Sequence, residues 1–186
     1  MDQGSEAYRK YCEEGDEEAF VWLIQAYREG LIYFLCGIVH DIARAEELAE
    51  DAFVRIGTRR PPNRGGASFK TWLYTVGRNL AISDLRRSRR MQAVRTECLS
   101  EMQDEEGDLE ARLIGAENRL RLHRVMRGLK WEYYQVLWLI YFEEMSCKDA
   151  ARVMRKSTHA IETLVYRARI ALKRALEKEG FVYEEL

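Results

Sequence analysis

Apolar residues recur at helical spacing along nearly the whole chain, and strand-like alternation is almost absent. Asp16 is an N-cap candidate before the stripe Phe20, Leu23, Ile24, Tyr27, Leu31, Phe34, Leu35 and Ile38, which follows the i, i+3, i+4, i+7 rule. Gly30 and Gly37 lie inside that stretch and predict a local weakening or a break. Asp41 caps a second predicted helix, with Ala45, Leu48, Ala49, Ala52, Phe53 and Ile56 on one face. The segment Arg59-Arg60-Pro61-Pro62-Asn63-Arg64-Gly65-Gly66-Ala67 reads as a loop by its proline and glycine content. Ser68 then caps a third helix whose apolar face is Phe69, Trp72, Leu73, Val76 and Leu80. That helix runs on into Arg86-Arg87-Ser88-Arg89-Arg90.

From Thr96 to Gly107 the periodicity gives way to polar and acidic residues, and a linker is placed at 96–118. Beyond it, Val125, Met126 and Leu129 precede a strongly apolar helix from Tyr133 to Phe142. Ser146-Cys147-Lys148-Asp149 resembles a capping box, with Ala150, Ala151, Val153 and Met154 behind it. After the break Arg155-Lys156-Ser157, a last helix carries Ile161, Leu164, Val165, Ala168, Leu172 and Leu176. Two helices around so short a break form the pattern of a helix-turn-helix. The expected fold is all-α: two small helical domains, 1–95 and 119–186, joined by the acidic linker.

With 186 residues, 47% of them hydrophobic, the chain has material for a modest core in each domain. Its longest apolar run, around Val136 to Phe142, is far short of a bilayer span. The start, Met1-Asp2-Gln3-Gly4-Ser5-Glu6, lacks the pattern of a secretory signal. Cys12, Cys36, Cys98 and Cys147 are scattered and read as reduced thiols, so a cytoplasmic protein is expected. The net charge of -1 conceals strong segregation. Residues 1–54 carry 4 basic and 13 acidic groups, whereas 55–95 carry 11 basic and 1 acidic. Residues 96–118 hold 1 basic and 8 acidic groups, and 119–186 hold 14 and 9. Such blocks predict a polyanion-binding surface beside acidic surfaces with another task.

Enzymatic chemistry finds no support. Gly65-Gly66-Ala67-Ser68-Phe69-Lys70-Thr71 lacks the glycine a phosphate-binding loop places before its lysine, and no strand precedes it. His40, His123 and His159 lack metal-ligand spacing and read as surface or cap residues. Neither metal nor cofactor is expected. The helix from Phe69 to Arg90 is different. Trp72 and Tyr74 lie among Lys70, Arg78, Asn79, Arg86, Arg87, Arg89 and Arg90. Cations neutralise phosphates, asparagine reads base edges and aromatic rings stack on unpaired bases. Phe69 and Trp72 read as core.

These residues, in this order, resemble a known family. An acidic helix, Ala45-Glu46-Glu47-Leu48-Ala49-Glu50-Asp51-Ala52-Phe53-Val54, is followed by Trp72-Leu73-Tyr74, Arg78-Asn79-Leu80-Ala81-Ile82 and an arginine cluster. An acidic linker and a helix-turn-helix ending Tyr166-Arg167-Ala168-Arg169 complete the series. The whole is similar to bacterial RNA polymerase sigma factors of the extracytoplasmic-function class, which hold regions 2 and 4. The resemblance implies that Glu46, Glu47, Leu48, Asp51, Phe53 and Val54 dock on the clamp-helix coiled coil of core polymerase. It implies that Arg64, Ser68, Lys70, Tyr74, Arg78, Asn79, Ser83, Arg86 and Arg87 meet the promoter -10 element, where a base is flipped out. It assigns the -35 element to Lys156, Ser157, Thr158, His159, Glu162, Thr163, Tyr166 and Arg167. The polymerase flap and an anti-sigma factor are further implied partners, with no membrane insertion.

The chain departs from the family pattern in places. Ser83 and Asp84 stand where an acid four residues after Asn79 is usual, and Glu50 replaces a usual glutamine. Arg155 and Lys156 occupy a turn that commonly holds glycine. The recognition helix reads His159-Ala160-Ile161-Glu162-Thr163-Leu164, which exchanges a lysine for Glu162 and an arginine for Leu164. On the residues alone two other readings stay open: a dimeric helix-turn-helix regulator, and an interaction module with weakened DNA binding.

Overall fold

Asp2 starts the first helix, α1 (Gln3–Glu14), by accepting the Ser5 amide, and Gly15 ends it in the left-handed conformation. The hydrophobic pattern did not point to this helix, because only its Tyr8 and Tyr11 are large buried side chains. The structure, a computed structural model, describes residues 2–59, 66–94, 122 and 124–179. Every helix and turn of helix named below falls within them. The 96–118 linker, the loop residues 60–65 with Arg64, and His123 lie outside the described residues.

The chain divides into two compact units. In the first, α2 (Glu17–Val39) packs against α1, α3 (Ile42–Arg59) and α4 (Phe69–Val94). Asp16 caps α2 through the Ala19 amide, Asp41 caps α3 through the Arg44 amide, and Ser68 caps α4 through the Thr71 amide. The three predicted caps are therefore in place. The break that Gly30 and Gly37 made possible does not occur, because α2 is continuous to Val39. Each glycine costs about 1 kcal/mol in helix propensity. Burial of every residue from Leu31 to Val39 outweighs it. His40 then closes α2 in the left-handed conformation, the cap role read from the sequence.

The face that α4 buries differs from the predicted one. Phe69 and Leu73 are buried as expected, but Trp72, Val76 and Leu80 are only half-buried. Tyr74, Gly77, Arg78 and Ala81 turn inward with Leu73. Gly77 explains the rotation. A β-carbon there would lie 2.9 Å from Leu31 Cδ1, so the missing side chain is what lets α4 close onto α2. Residues beside the glycine are drawn into that contact. Asp84, beyond it, pairs with Arg44 of α3, which also pairs with Glu47. Hydrogen bonding to Asp84, then to Glu47, pushes the Arg44 guanidinium above its usual range.

In the second unit the predicted helix from Tyr133 to Phe142 is two structures. α5 (Trp131–Leu137) is α-helical, and Trp138–Phe142 continues it as a π-helical turn. The wider turn closes with the Glu143 amide donating to the Trp138 carbonyl at 3.1 Å. It leaves Trp138 and Phe142 stacked at 4.4 Å. α6 (Cys147–Met154) is capped by Ser146, whose hydroxyl accepts the Asp149 amide and donates to the Asp149 carboxylate at 2.6 Å. Ser157 caps α7 (Thr158–Lys178) through the Ala160 amide. α7 packs on α5 and buries Ile161, Ala168 and Leu176. Arg155 makes the turn at φ 54°, a left-handed position that favours glycine and holds an arginine here. Among the described residues no helix is long and apolar enough to cross a membrane.

Candidate nucleic-acid interface

Helix α3 presents two faces, and the six residues expected to dock on a partner divide between them. Leu48 is 2% exposed and Phe53 stacks edge-on to Phe20, so both belong to the core. Glu46 is half-buried, while Glu47, Asp51 and Val54 are exposed. Glu47 is paired with Arg44, and the adjacent Glu50 with Arg28 across to α2 at 3.4 Å. Asp51 makes no ion pair among the described residues. Val54, 60% exposed, stands a turn further along the same face. The outward face thus carries Glu47, Glu50 and Asp51, then Val54 and the exposed Arg55.

Helix α4 divides in the same way. Tyr74 is buried against the Phe34 ring at 5.2 Å, and Arg78 is 6% exposed. Both side chains are buried in this fold, where the Gly77 contact turns them inward. Ser68, Lys70 and Asn79 are half-buried, and Ser83, Arg86 and Arg87 are exposed. Ser83 donates its hydroxyl to the Asn79 carbonyl at 2.8 Å, so part of its hydrogen-bonding capacity is used within the helix. Arg86, Arg87 and Arg90 are exposed and make no ion pair among the described residues. A row of guanidinium groups with no acid partner among the described residues is a surface for phosphates.

The start of α7 forms the third surface. Lys156, Ser157, Thr158, His159, Glu162, Tyr166 and Arg167 are all exposed, and Thr163 is half-buried. Lys156 is held by Glu132 of α5 at 3.0 Å, and Thr163 donates to the His159 carbonyl. His159 Nδ1 lies 3.8 Å from the Glu162 carboxylate. Both are well exposed, so that pair is worth little and leaves Glu162 available. Tyr166, 66% exposed, extends the outward stripe one turn beyond Glu162. Sequence reasoning missed Asp84 as the acid that ties α4 to α3, and Ser5 of α1, whose hydroxyl accepts the Phe69 amide. Neither has a local signal, since the partners lie 40 and 64 residues away.

Comparison with known proteins gives a family. The Sigma-70 region 2 family model matches residues 23–91 and the Sigma-70, region 4 model matches 119–172. The RNA polymerase sigma-H factor of Pseudomonas aeruginosa is 27% identical over 89% of this chain and 90% of its own length. The ECF RNA polymerase sigma factor BldN of Streptomyces coelicolor is 31% identical over 91% of this chain and 64% of its own. In fold, the chain is similar to the sigma factor RpoE in its complex with the anti-sigma factor NepR from Bartonella quintana. The TM-score is 0.68 at 21% identity, over 85% of this chain and 96% of that one.

Proposed function

The chain belongs to the sigma-70 family of RNA polymerase sigma factors, in the extracytoplasmic-function class, and from that premise we propose how its surfaces divide the work of initiation. It binds core RNA polymerase, directs it to specific promoters and assists melting, without covalent chemistry and within the cytoplasm. Residues 1–95 act as region 2 and 119–186 as region 4, with 96–118 as the acidic linker. The exposed acids of α3, with Val54, meet a basic surface of the polymerase, and like charge keeps that face away from DNA. Ser68, Lys70, Asn79, Ser83, Arg86 and Arg87 serve the -10 element, and the start of α7 serves the -35 element. An anti-sigma factor is a further partner, as in the RpoE complex.

One observation carries this reading. Within a single unit, α3 turns acids outward while α4 exposes three arginines that no acid neutralises among the described residues. A dimeric repressor has no use for the first surface, and a protein-interaction module has none for the second. Run-off transcription with core polymerase across a promoter library tests it. Specific transcripts that appear only when the chain is added are expected; their absence, with the chain folded, rejects the reading.

The arginines allow a quantitative check. Replacing Arg86 and Arg87 together with glutamine is expected to lower the slope of log affinity against log salt by about 1 to 2 units, as two lost phosphate contacts require. Titration of holoenzyme against promoter DNA across a salt series measures it. An unchanged slope makes these arginines a solvated helix end.

A further inference from the structure

We propose that Ser5 is a positioning residue that sets the start of α4 for capture of the displaced promoter strand; the proposal rests on the promoter reading above. Ser5 lies outside residues 23–91, the span matched by the region 2 model, and the matched region assigns it no role. Its geometry joins two helices. The Ser5 amide donates to Asp2 Oδ1 at 3.1 Å, and its hydroxyl donates to Asp2 Oδ2 at 2.6 Å. With its proton committed to Asp2, the hydroxyl oxygen accepts the Phe69 amide at 2.9 Å.

Phe69 is the first residue of α4, and the first amides of a helix have no partner within it. Ser68 satisfies one of them, that of Thr71. Ser5 satisfies another from a different helix. The Asp2 carboxylate, relayed through the hydroxyl, also places negative charge near the positive end of the α4 dipole. Aromatic packing fixes the same junction: the Tyr8 ring of α1 lies 5.3 Å from Phe69 and 5.1 Å from Trp72. Phe69 in turn lies 5.6 Å from Tyr27 of α2.

The residues on either side of Phe69 are Ser68 and Lys70, both assigned above to the -10 element. The amide held by Ser5 lies between them, so a shift of α4 at this point moves both. A contact that only stabilised α1 would not be felt there. α1 is therefore the brace that holds the strand-binding end of α4 in register.

Ser5→Ala and Ser5→Thr separate the two roles. Each variant is assembled with core polymerase, and three affinities are measured: for core polymerase, for a duplex bearing the -35 element alone, and for a fluorescent single strand bearing the -10 sequence selected by run-off transcription. Ser5→Ala is expected to weaken single-strand binding about three- to tenfold, the range of one lost hydrogen bond, with the other two affinities unchanged. Ser5→Thr, which keeps the hydroxyl, is expected to restore it. Equal loss on all three, no loss, or failure of threonine to rescue overturns the proposal. A wild-type holoenzyme that ignores the -10 strand overturns the promoter reading itself, and the proposal with it.

Discussion

Leu48→Arg is expected to unfold the N-terminal unit, whereas Val54→Arg on the same helix is expected to leave it folded and unable to hold polymerase. The two positions are six residues apart, about 120° around α3, which buries the first and exposes the second. Leu48 is 2% exposed in the core of the N-terminal unit, where α3 packs on α2 and α4. Removing a buried leucine costs about 2 to 5 kcal/mol, and an unpaired buried charge adds to that. Domains of this kind have about 5 to 15 kcal/mol in total. Thermal denaturation followed by circular dichroism will show a lost or strongly lowered transition. Val54 is 60% exposed, and substitutions at such sites change stability by about 0.5 kcal/mol or less. Its arginine would place a cation at the end of the acidic strip, one turn from Glu50 and Asp51. Affinity for core polymerase is expected to fall at least about tenfold, as for a like charge introduced against a basic partner surface. Wild-type affinity in a folded Val54→Arg protein would remove α3 as the docking face.

Glu162→Lys is expected to relax base preference at one position of the -35 element by about 1 to 3 kcal/mol while strengthening binding to all DNA. The carboxylate stands exposed on the second turn of α7, in a stripe with His159 and Tyr166, while Ile161 and Ala168 pack inward. A glutamate near phosphates costs binding unless it gains a specific donor, and the cytosine amino group in the major groove is one. Its contact with His159, at 3.8 Å between exposed groups, is too weak to make it a structural residue. The pairing with Lys156 that could have occupied it is absent, because Lys156 is bound to Glu132. Holoenzyme affinities for a set of single-base -35 variants measure the effect. Uniformly tighter binding with preferences intact would show that Glu162 does not read bases.

The start of α7 shows how much of a site local sequence can carry. Ser157 caps the helix, the apolar stripe chooses its inward face, and the remaining residues but Thr163 are exposed as a consequence. The whole outward row was legible because all these effects act within one or two turns. α4 shows the opposite. Its cap at Ser68 was legible, yet its buried face was not, and Tyr74 and Arg78 were assigned to DNA. An arginine and a tyrosine read as polar in any pattern. Their burial follows from a glycine that matters only because Leu31 of another helix lies against it. On α3, Leu48 and Phe53 were grouped with the docking face by resemblance, although their own spacing with Ala45, Ala49, Ala52 and Ile56 already placed them in the core.

What the amino-acid order determines by itself is therefore local and electrostatic. It sets the all-α class, the capped starts of α2, α3, α4, α6 and α7, the helix-turn-helix break, and the separation of acidic from basic blocks. Caps, periodicity and net charge of a segment arise from interactions within a few residues or need no contact at all. Tertiary structure alone decides the continuity of α2 through two glycines, the pairing of Asp84 with Arg44, and the brace from Ser5 to Phe69. Each depends on groups that meet only after helices pack. There, burial outweighs propensity, and a side chain's role is set by which neighbour excludes water from it.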